Sequence, residues 1–275
     1  MRRTFLKTVM GATLIAASIM VMAPLATASV SEPSSAVGVA VNQPLPTNVA
    51  SAQFKNQYGQ PETLGALAGT TVLIVPILTL CGDTCPFTTG NLLQAQRLLQ
   101  QNGQNNVELV AITVDPYRDT VKRLAAYAKM IGVPANSNFQ LWSPFGPTTT
   151  PHAPGMSKKS KGSGDVNANE AAVANFLGWS AKVVAQMKPV MVDWMTGKKL
   201  TYDINHSDGF WVMNANQVVS FASGNAPGFT GTIAKKLATF MGSKKNIYTT
   251  PQPAANGWTA AEAVQAIEWV AQGSN

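Results

Sequence analysis

Two uninterrupted apolar runs, Thr70 to Leu80 and Val107 to Val114, constrain this chain more than any other feature. A strand wetted on one face alternates polar and apolar residues. A continuous apolar run is instead buried on both faces and needs a layer above and a layer below. Between the runs, Leu92, Ala95 and Leu99 keep one stripe at helical spacing, closed by Asn102-Gly103. After the second run, Asp119 or Thr120 can cap a helix whose Val121, Leu124, Ala125 and Ala128 share a face up to Gly132. Phe139 to Trp142 offers a third short strand. Strand, helix, strand, helix in that order predicts an α/β fold with at least one parallel strand pair. Pro76 interrupts the first run and predicts a bulge or an edge there.

The flanking segments are read from turns and composition. Residues 29–52, rich in Ser, Pro, Ala and Val without clear period, read as a linker. Phe54 to Leu67 reads as a short hairpin around Tyr58-Gly59-Gln60. From residue 144 to 165 the chain turns to Pro, Thr, Gly, Ser and Lys, the composition of a mobile surface insertion. A helix is expected over Asn169 to Leu177. Pro189 to Trp194 and Lys199 to Ile204 then pattern as a hairpin around Thr196-Gly197. Phe210 to Met213 and Gln217 to Phe221 pattern as another, around Asn214-Ala215-Asn216. Ile233 to Met241 reads as helical, and a last helix starts at Thr259, with Glu262 completing a capping box.

The first residues have the layout of an export signal. A basic start, Met1-Arg2-Arg3, leads into an apolar stretch from Val9 to Met22 and a small-x-small site, Ala26-Thr27-Ala28. The expected cut follows Ala28, and Arg-Arg-Thr-Phe-Leu-Lys resembles the twin-arginine export motif. Residues 1–28 are therefore expected to send the chain to the periplasm or another extracytoplasmic space, and an uncleaved signal would keep it next to the membrane. Losing Arg2, Arg3 and Lys7 lowers Lys+Arg from 20 to 17 against 13 Asp+Glu, which reduces the net charge from +7 to +4. The remaining basic residues are scattered apart from Lys158, Lys159 and Lys161, and no basic face interleaved with aromatics marks a nucleic-acid binder.

Both cysteines of the chain lie where the first apolar run gives way to a helix, in Cys81-Gly82-Asp83-Thr84-Cys85-Pro86. Pro86 suits a first helical turn. Sulfurs at that positive helix end are favoured as thiolates. Three uses are open. A structural disulfide suits an exported protein, but so short a loop removes little chain entropy. A dithiol redox centre is the second use, although its usual spacing is C-x-x-C. A metal site is the third, and it needs further ligands. The chain has two histidines: His152, inside the insertion, and His206, in a polar loop at a strand end where sites collect. Two thiolates and one imidazole suit Cu(I), or Cu(II) with an added oxygen ligand, whereas structural zinc takes a fourth protein ligand.

The segments Cys81-Gly82-Asp83-Thr84-Cys85-Pro86, Val114-Asp115-Pro116-Tyr117-Arg118-Asp119-Thr120 and Asn205-His206-Ser207, in that order, resemble the Sco/SenC family. Those proteins are thioredoxin-fold copper chaperones for the CuA centre of cytochrome c oxidase. The resemblance runs from Phe54 to Phe240. It implies a thioredoxin-like mixed sheet flanked by helices, spanning 53–275, with the 144–165 insertion and a C-terminal helix added. It further implies copper as the metal, Cys81, Cys85 and His206 as ligands, and the CuA subunit or another exported copper protein as partner. Asp115 matches the aspartate of the family's D-P motif. Asp83 and Asp115 are candidates for orienting the ligands, or equally for capping and turn formation. The departures are Gly82 where proline is common, Asn205 where aspartate is common before the histidine, Pro76, and the insertion. The alternative activity is a thiol-disulfide oxidoreductase, with Cys81 attacking and Cys85 resolving.

Overall fold

Burial on both faces is what the two apolar runs obtain. In the computed structural model, which describes residues 29–135, 137–145, 167–186, 190–245, 247–249 and 257–273, they form neighbouring parallel strands. The elements in chain order begin with β1 (Val39–Pro44), α1 (Thr47–Ala50), β2 (Phe54–Asn56) and β3 (Pro61–Glu62). A 3-10 turn at Leu64–Leu67 leads to β4 (Thr71–Ile77), α2 (Cys85–Gln101), β5 (Val107–Thr113) and α3 (Val121–Ile131). Next come β6 (Phe139–Pro144), α4 (Ala168–Leu177), β7 (Ala181–Val184) and β8 (Asp203–His206). The chain then forms β9 (Phe210–Met213), β10 (Val218–Ser223), β11 (Thr230–Thr232), α5 (Lys235–Phe240), β12 (Ile247–Thr249) and α6 (Ala260–Gln272).

The main sheet has the order β1-β10-β9-β4-β5-β6-β2-β3. Strands β4, β5 and β6 run parallel, and β9 pairs with β4 antiparallel. Alternation splits the strand side chains between two cores. Leu73, Val75 and Ile77 of β4, with Leu109 and Ala111 of β5, pack with Leu92 and Leu99 of α2, Leu124 of α3, and Val264 and Ile267 of α6. Val72, Ile74, Val110 and Ile112 face the other way, toward Trp142 and toward Val173 and Leu177 of α4. A parallel β-α-β unit with cysteines at its helix, an antiparallel pair beyond it and a closing helix make the expected thioredoxin-like mixed sheet.

Local signals place the helix ends. The Thr120 hydroxyl caps α3 by accepting from the Arg123 N–H, and Gly132 ends it in the left-handed region at φ 85°. The capping box of Thr259 and Glu262 starts α6. That last helix packs on α2 and on β4 and so belongs to the core.

Three expectations are corrected. Residues 39–44, read as linker, form β1 and pair with β10 at the sheet edge. Pro76 lies in a central strand with no bulge between β4 and β5, because its missing N–H falls on a local edge. The Val114 N–H donates to the Ile77 carbonyl, so the adjacent residue points the other way, where pairing with β9 stops at Ile74. The hairpin expected around Thr196-Gly197 shrinks to one bridge, Val192 to Lys199. Asp193 is the cause. Its carboxylate accepts from the Met195 and Thr196 N–H groups and the Thr196 hydroxyl, and this winds the segment into a turn. Freed from that hairpin, β8 pairs with β7.

Residues 1–28 and most of the 144–165 insertion, including His152, lie outside the described residues. Among the described residues, no helix is long and apolar enough to cross a membrane.

Candidate metal centre

β4 ends at Ile77 and α2 starts at Cys85, so both cysteines sit at the mouth of the parallel unit. Cys85 is buried at 1% exposure, and Cys81 is half-buried. Both are free thiols. Pro86 occupies the first turn of α2 without loss of a hydrogen bond. His206 is the last residue of β8, opposite Ala181, rather than part of a loop between hairpins.

Folding brings the three predicted ligands together. The Cys81 and Cys85 sulfurs and a His206 ring nitrogen all lie within 4.8 Å of one another. Cys85 Sγ is 3.3 Å from His206 Nε2. His206 Nδ1 is 2.7 Å from the Ser207 carbonyl oxygen. A carbonyl only accepts, so in the neutral ring Nδ1 carries the proton and the Nε2 lone pair faces the sulfurs. That is the tautomer a metal-binding imidazole needs, with its orientation fixed from behind.

Main-chain donors also reach the sulfurs. The Leu78 N–H donates to Cys85 Sγ at 3.3 Å, and the Asp83 N–H to Cys81 Sγ at 3.4 Å. Cys81 titrates well below the ordinary thiol range. The Cys85 thiol, as a hydrogen donor, contributes most; burial opposes it, and His206 adds to the lowering. Burial drives the Cys85 thiol well above that range, with Cys81 pushing the same way. For His206, burial pulls the pKa down, but the Cys81 sulfur and the Ser207 carbonyl outweigh it and leave it raised. The pair is thus split into one thiol that ionises readily and one that keeps its proton.

The aspartates behave differently from a simple ligand-orienting role. The Asp83 side chain is exposed, and its main-chain N–H makes the contact with sulfur. Buried Asp115 bonds none of the three ligands. It forms an ion pair with Arg118 and accepts from the Tyr202 hydroxyl at 3.2 Å. Sequence reasoning missed Thr84, Asp208, Arg118 and Tyr202. The Thr84 hydroxyl donates to Asp208 at 2.7 Å instead of capping α2, so it ties the cysteine loop to the residue two places after His206. The D-P-x-R-D-T spelling was the available signal for Arg118. Tyr202 carried none.

Beside the cysteine loop a cavity of about 680 Å³ opens, with Gly82, Met191, Trp194, Phe240 and Met241 in its wall. A side chain at Gly82 would place Cβ 2.3 Å from the Met191 methyl carbon. The missing side chain at Gly82 is therefore what lets this thioether lie against the loop.

A thioredoxin-like sheet with two cysteines at a helix N-terminus and an imidazole facing them defines a class of thiol-based metal or redox proteins. Within that class, residues 43–135 match the SCO1/SenC family model, which makes this stretch of the chain SCO1/SenC-like. The matched stretch holds Cys81, Cys85 and the Asp115–Thr120 turn, while His206 lies beyond it. No curated protein matches the chain. Among solved structures, the chain is similar to Bradyrhizobium japonicum ScoI with copper bound at 19% identity, over 67% of this chain and 88% of that one, with a TM-score of 0.45. It is similar to Arabidopsis thaliana ScoI with copper bound at 18% identity, over 64% and 89%, with a TM-score of 0.45. A SCO1/SenC family lipoprotein from Bacillus anthracis gives 21% identity over 68% and 90%, with a TM-score of 0.45.

Proposed function

We infer that the chain is an exported copper-binding metallochaperone, with Cys81 and Cys85 binding as thiolates and His206 as the third ligand. The observation that carries this reading is the convergence of two sulfurs and one imidazole nitrogen within 4.8 Å. Soft sulfur donors with a single imidazole select Cu(I) by ligand type. Structural zinc would take a fourth protein ligand, and among the described residues the group holds three. Cys81, the less buried of the two cysteines, is the sulfur that an acceptor's ligand reaches first, with Cys85 and His206 behind it. The acceptor is the CuA subunit of cytochrome c oxidase or another exported copper protein. This follows from the resemblance of the cysteine and D-P motifs and from the SCO1/SenC match over 43–135. Export follows from the layout of residues 1–28.

The test is copper competition against a calibrated chelator, with reduced protein. One copper per chain is expected, and Cys81→Ser or Cys85→Ser should abolish tight binding. Full affinity in both variants would sink the reading.

A second reading is favoured by the contrast between half-buried Cys81 and enclosed Cys85. In a thiol-disulfide oxidoreductase, the Cys81 thiolate attacks a partner's disulfide, forms a mixed disulfide and expels one partner thiolate. Cys85 then gives up its proton and attacks the Cys81 sulfur, which releases the second partner thiolate. The partner gains two electrons, the pair ends as a disulfide, and His206 is dispensable.

A further inference from the structure

The three ligand atoms sit on two arms of chain that are far apart in sequence. Cys81 follows β4, and His206 ends β8, a strand of a separate two-stranded ribbon. Both arms are bonded to one short turn between β5 and α3. Asp119 is fully buried there. One of its carboxylate oxygens accepts from the Thr79 N–H at 3.0 Å and the Thr113 hydroxyl at 2.7 Å, and the other accepts from the Thr79 hydroxyl. Thr79 lies two residues before Cys81, so this carboxylate fixes the cysteine arm to the end of β5. The neighbouring residue, Arg118, faces the other arm. Its Nε pairs with Asp115, its Nη1 donates to the Tyr202 carbonyl at 2.8 Å, and its guanidinium lies 3.7 Å over the Tyr202 ring. The Tyr202 hydroxyl returns to Asp115 at 3.2 Å and closes the loop of contacts. Tyr202 is four residues before His206.

We propose that the Asp115–Thr120 turn is the positioning element of the site, in which Asp119 sets the cysteine arm through Thr79 and the Asp115–Arg118 pair sets the histidine arm through Tyr202. Adjacent residues on one turn thereby fix the sulfur-to-nitrogen spacing, alongside the direct links at Thr84–Asp208, Cys85–His206 and Trp194–Thr79. Arginine is required because a planar fork can pair with a carboxylate, donate to a carbonyl and stack on a ring at once, and an ammonium cannot. The hydrogen bonds of Arg118, Asp119 and Tyr202 run to the arms and to each other, so these residues act through the arms. The proposal rests on reading Cys81, Cys85 and His206 as a metal site, but one of its readouts needs no metal.

The test uses the full chain and the variants Tyr202→Phe and Arg118→Lys, both conservative enough to keep the fold. The chain has two histidines, so a long-range proton–nitrogen spectrum of the metal-free protein shows two ring patterns, and His152→Gln assigns them. Wild type should show His206 as one tautomer with the proton on Nδ1, and both variants should show a mixture. With Cu(II) bound, the nitrogen hyperfine pattern should shift in both variants, and affinity should fall about 10–100-fold, the range for loss of a ligand-orienting partner. An unchanged His206 pattern and copper spectrum, with only the melting temperature lowered, would overturn the proposal. Mixed tautomers in a protein that binds no copper would uphold the positioning role and remove the metal reading instead.

Discussion

Cys85 Sγ and His206 Nε2 lie 3.3 Å apart although 121 positions separate them in the chain. Such a contact, between a helix N-terminus and the last residue of a separate ribbon, is fixed only by the tethers around it. The Ser207 carbonyl turns the ring, and the Thr84–Asp208 bond holds the following loop against α2. The lone pair of Nε2 then has no direction to face but the sulfurs.

His206→Ala separates chaperone from oxidoreductase. Losing one of three ligands should weaken copper binding by at least a hundredfold, about 3 kcal/mol. Disulfide exchange needs only an attacking thiolate and a good leaving thiol, so its rate should change only a few-fold. Chelator competition and reduction of a small disulfide, measured on one preparation, decide it. Retained copper affinity would leave the oxidoreductase reading.

Alkylation should distinguish the two thiols. Cys81 is the less buried cysteine and ionises readily, whereas Cys85 is enclosed and its thiol is driven upward by burial. With reduced, metal-free protein, iodoacetamide followed by peptide mass spectrometry should label Cys81 first. Cys81→Ser should leave a chain that labels slowly until it is unfolded. Equal rates at the two positions would contradict the burial of Cys85.

The forked pair between Arg123 and Asp193, with contacts of 2.8 and 2.7 Å, joins α3 to the turn before β8. Arg123→Ala should cost about 3–5 kcal/mol, because it leaves the carboxylate without its charge partner. Burial alone would raise the Asp193 pKa. The Arg123 fork, with the Met195 N–H and the Thr196 hydroxyl, outweighs it and holds the carboxyl well below the usual range. A depressed folded pKa gives stability that is complete above the unfolded value of about 3.9 and fades as pH falls below it. Urea midpoints of wild type and Asp193→Asn should therefore differ most at neutral pH and converge below about pH 4. A gap that widens in acid would reverse the assignment.

Gly209 leaves no room for a side chain. An added Cβ would stand 1.8 Å from the Ser223 carbonyl oxygen, a main-chain atom that cannot rotate away. Gly209→Ala should cost about 1–3 kcal/mol by overpacking. It should also disturb the loop that follows His206, lowering copper affinity along with thermal stability. Thermal melts with parallel copper titrations would show both effects, and a fully stable variant would show that the loop yields.

The sequence alone determined the parts of this protein that depend on near neighbours. Continuous apolar runs specified β4 and β5, a helical stripe and Gly103 bounded α2, and Asp119 or Thr120, Gly132 and the Thr259–Glu262 box marked helix ends. The cysteines could be assigned to a helix N-terminus for the same reason, since strand and helix periods are local and Pro86 marks the junction. Tertiary structure decided the rest. Residues 39–44 look like linker because an edge strand exposes most of its side chains, and only pairing with β10 makes them a strand. The segment before Trp194 alternates like a strand, yet the Asp193 turn and its Arg123 partner, 70 positions away, take it out of a hairpin. Pro76 is tolerated because the pairing of β4 with β9 stops at Ile74, which no period in β4 announces. Tyr202 and Arg118 look like ordinary surface residues until they meet across 84 positions. Periodicity reports which face of an element is apolar. Which distant element covers that face, and at what distance two ligand atoms finally stand, is set by long-range packing that no local window of sequence contains.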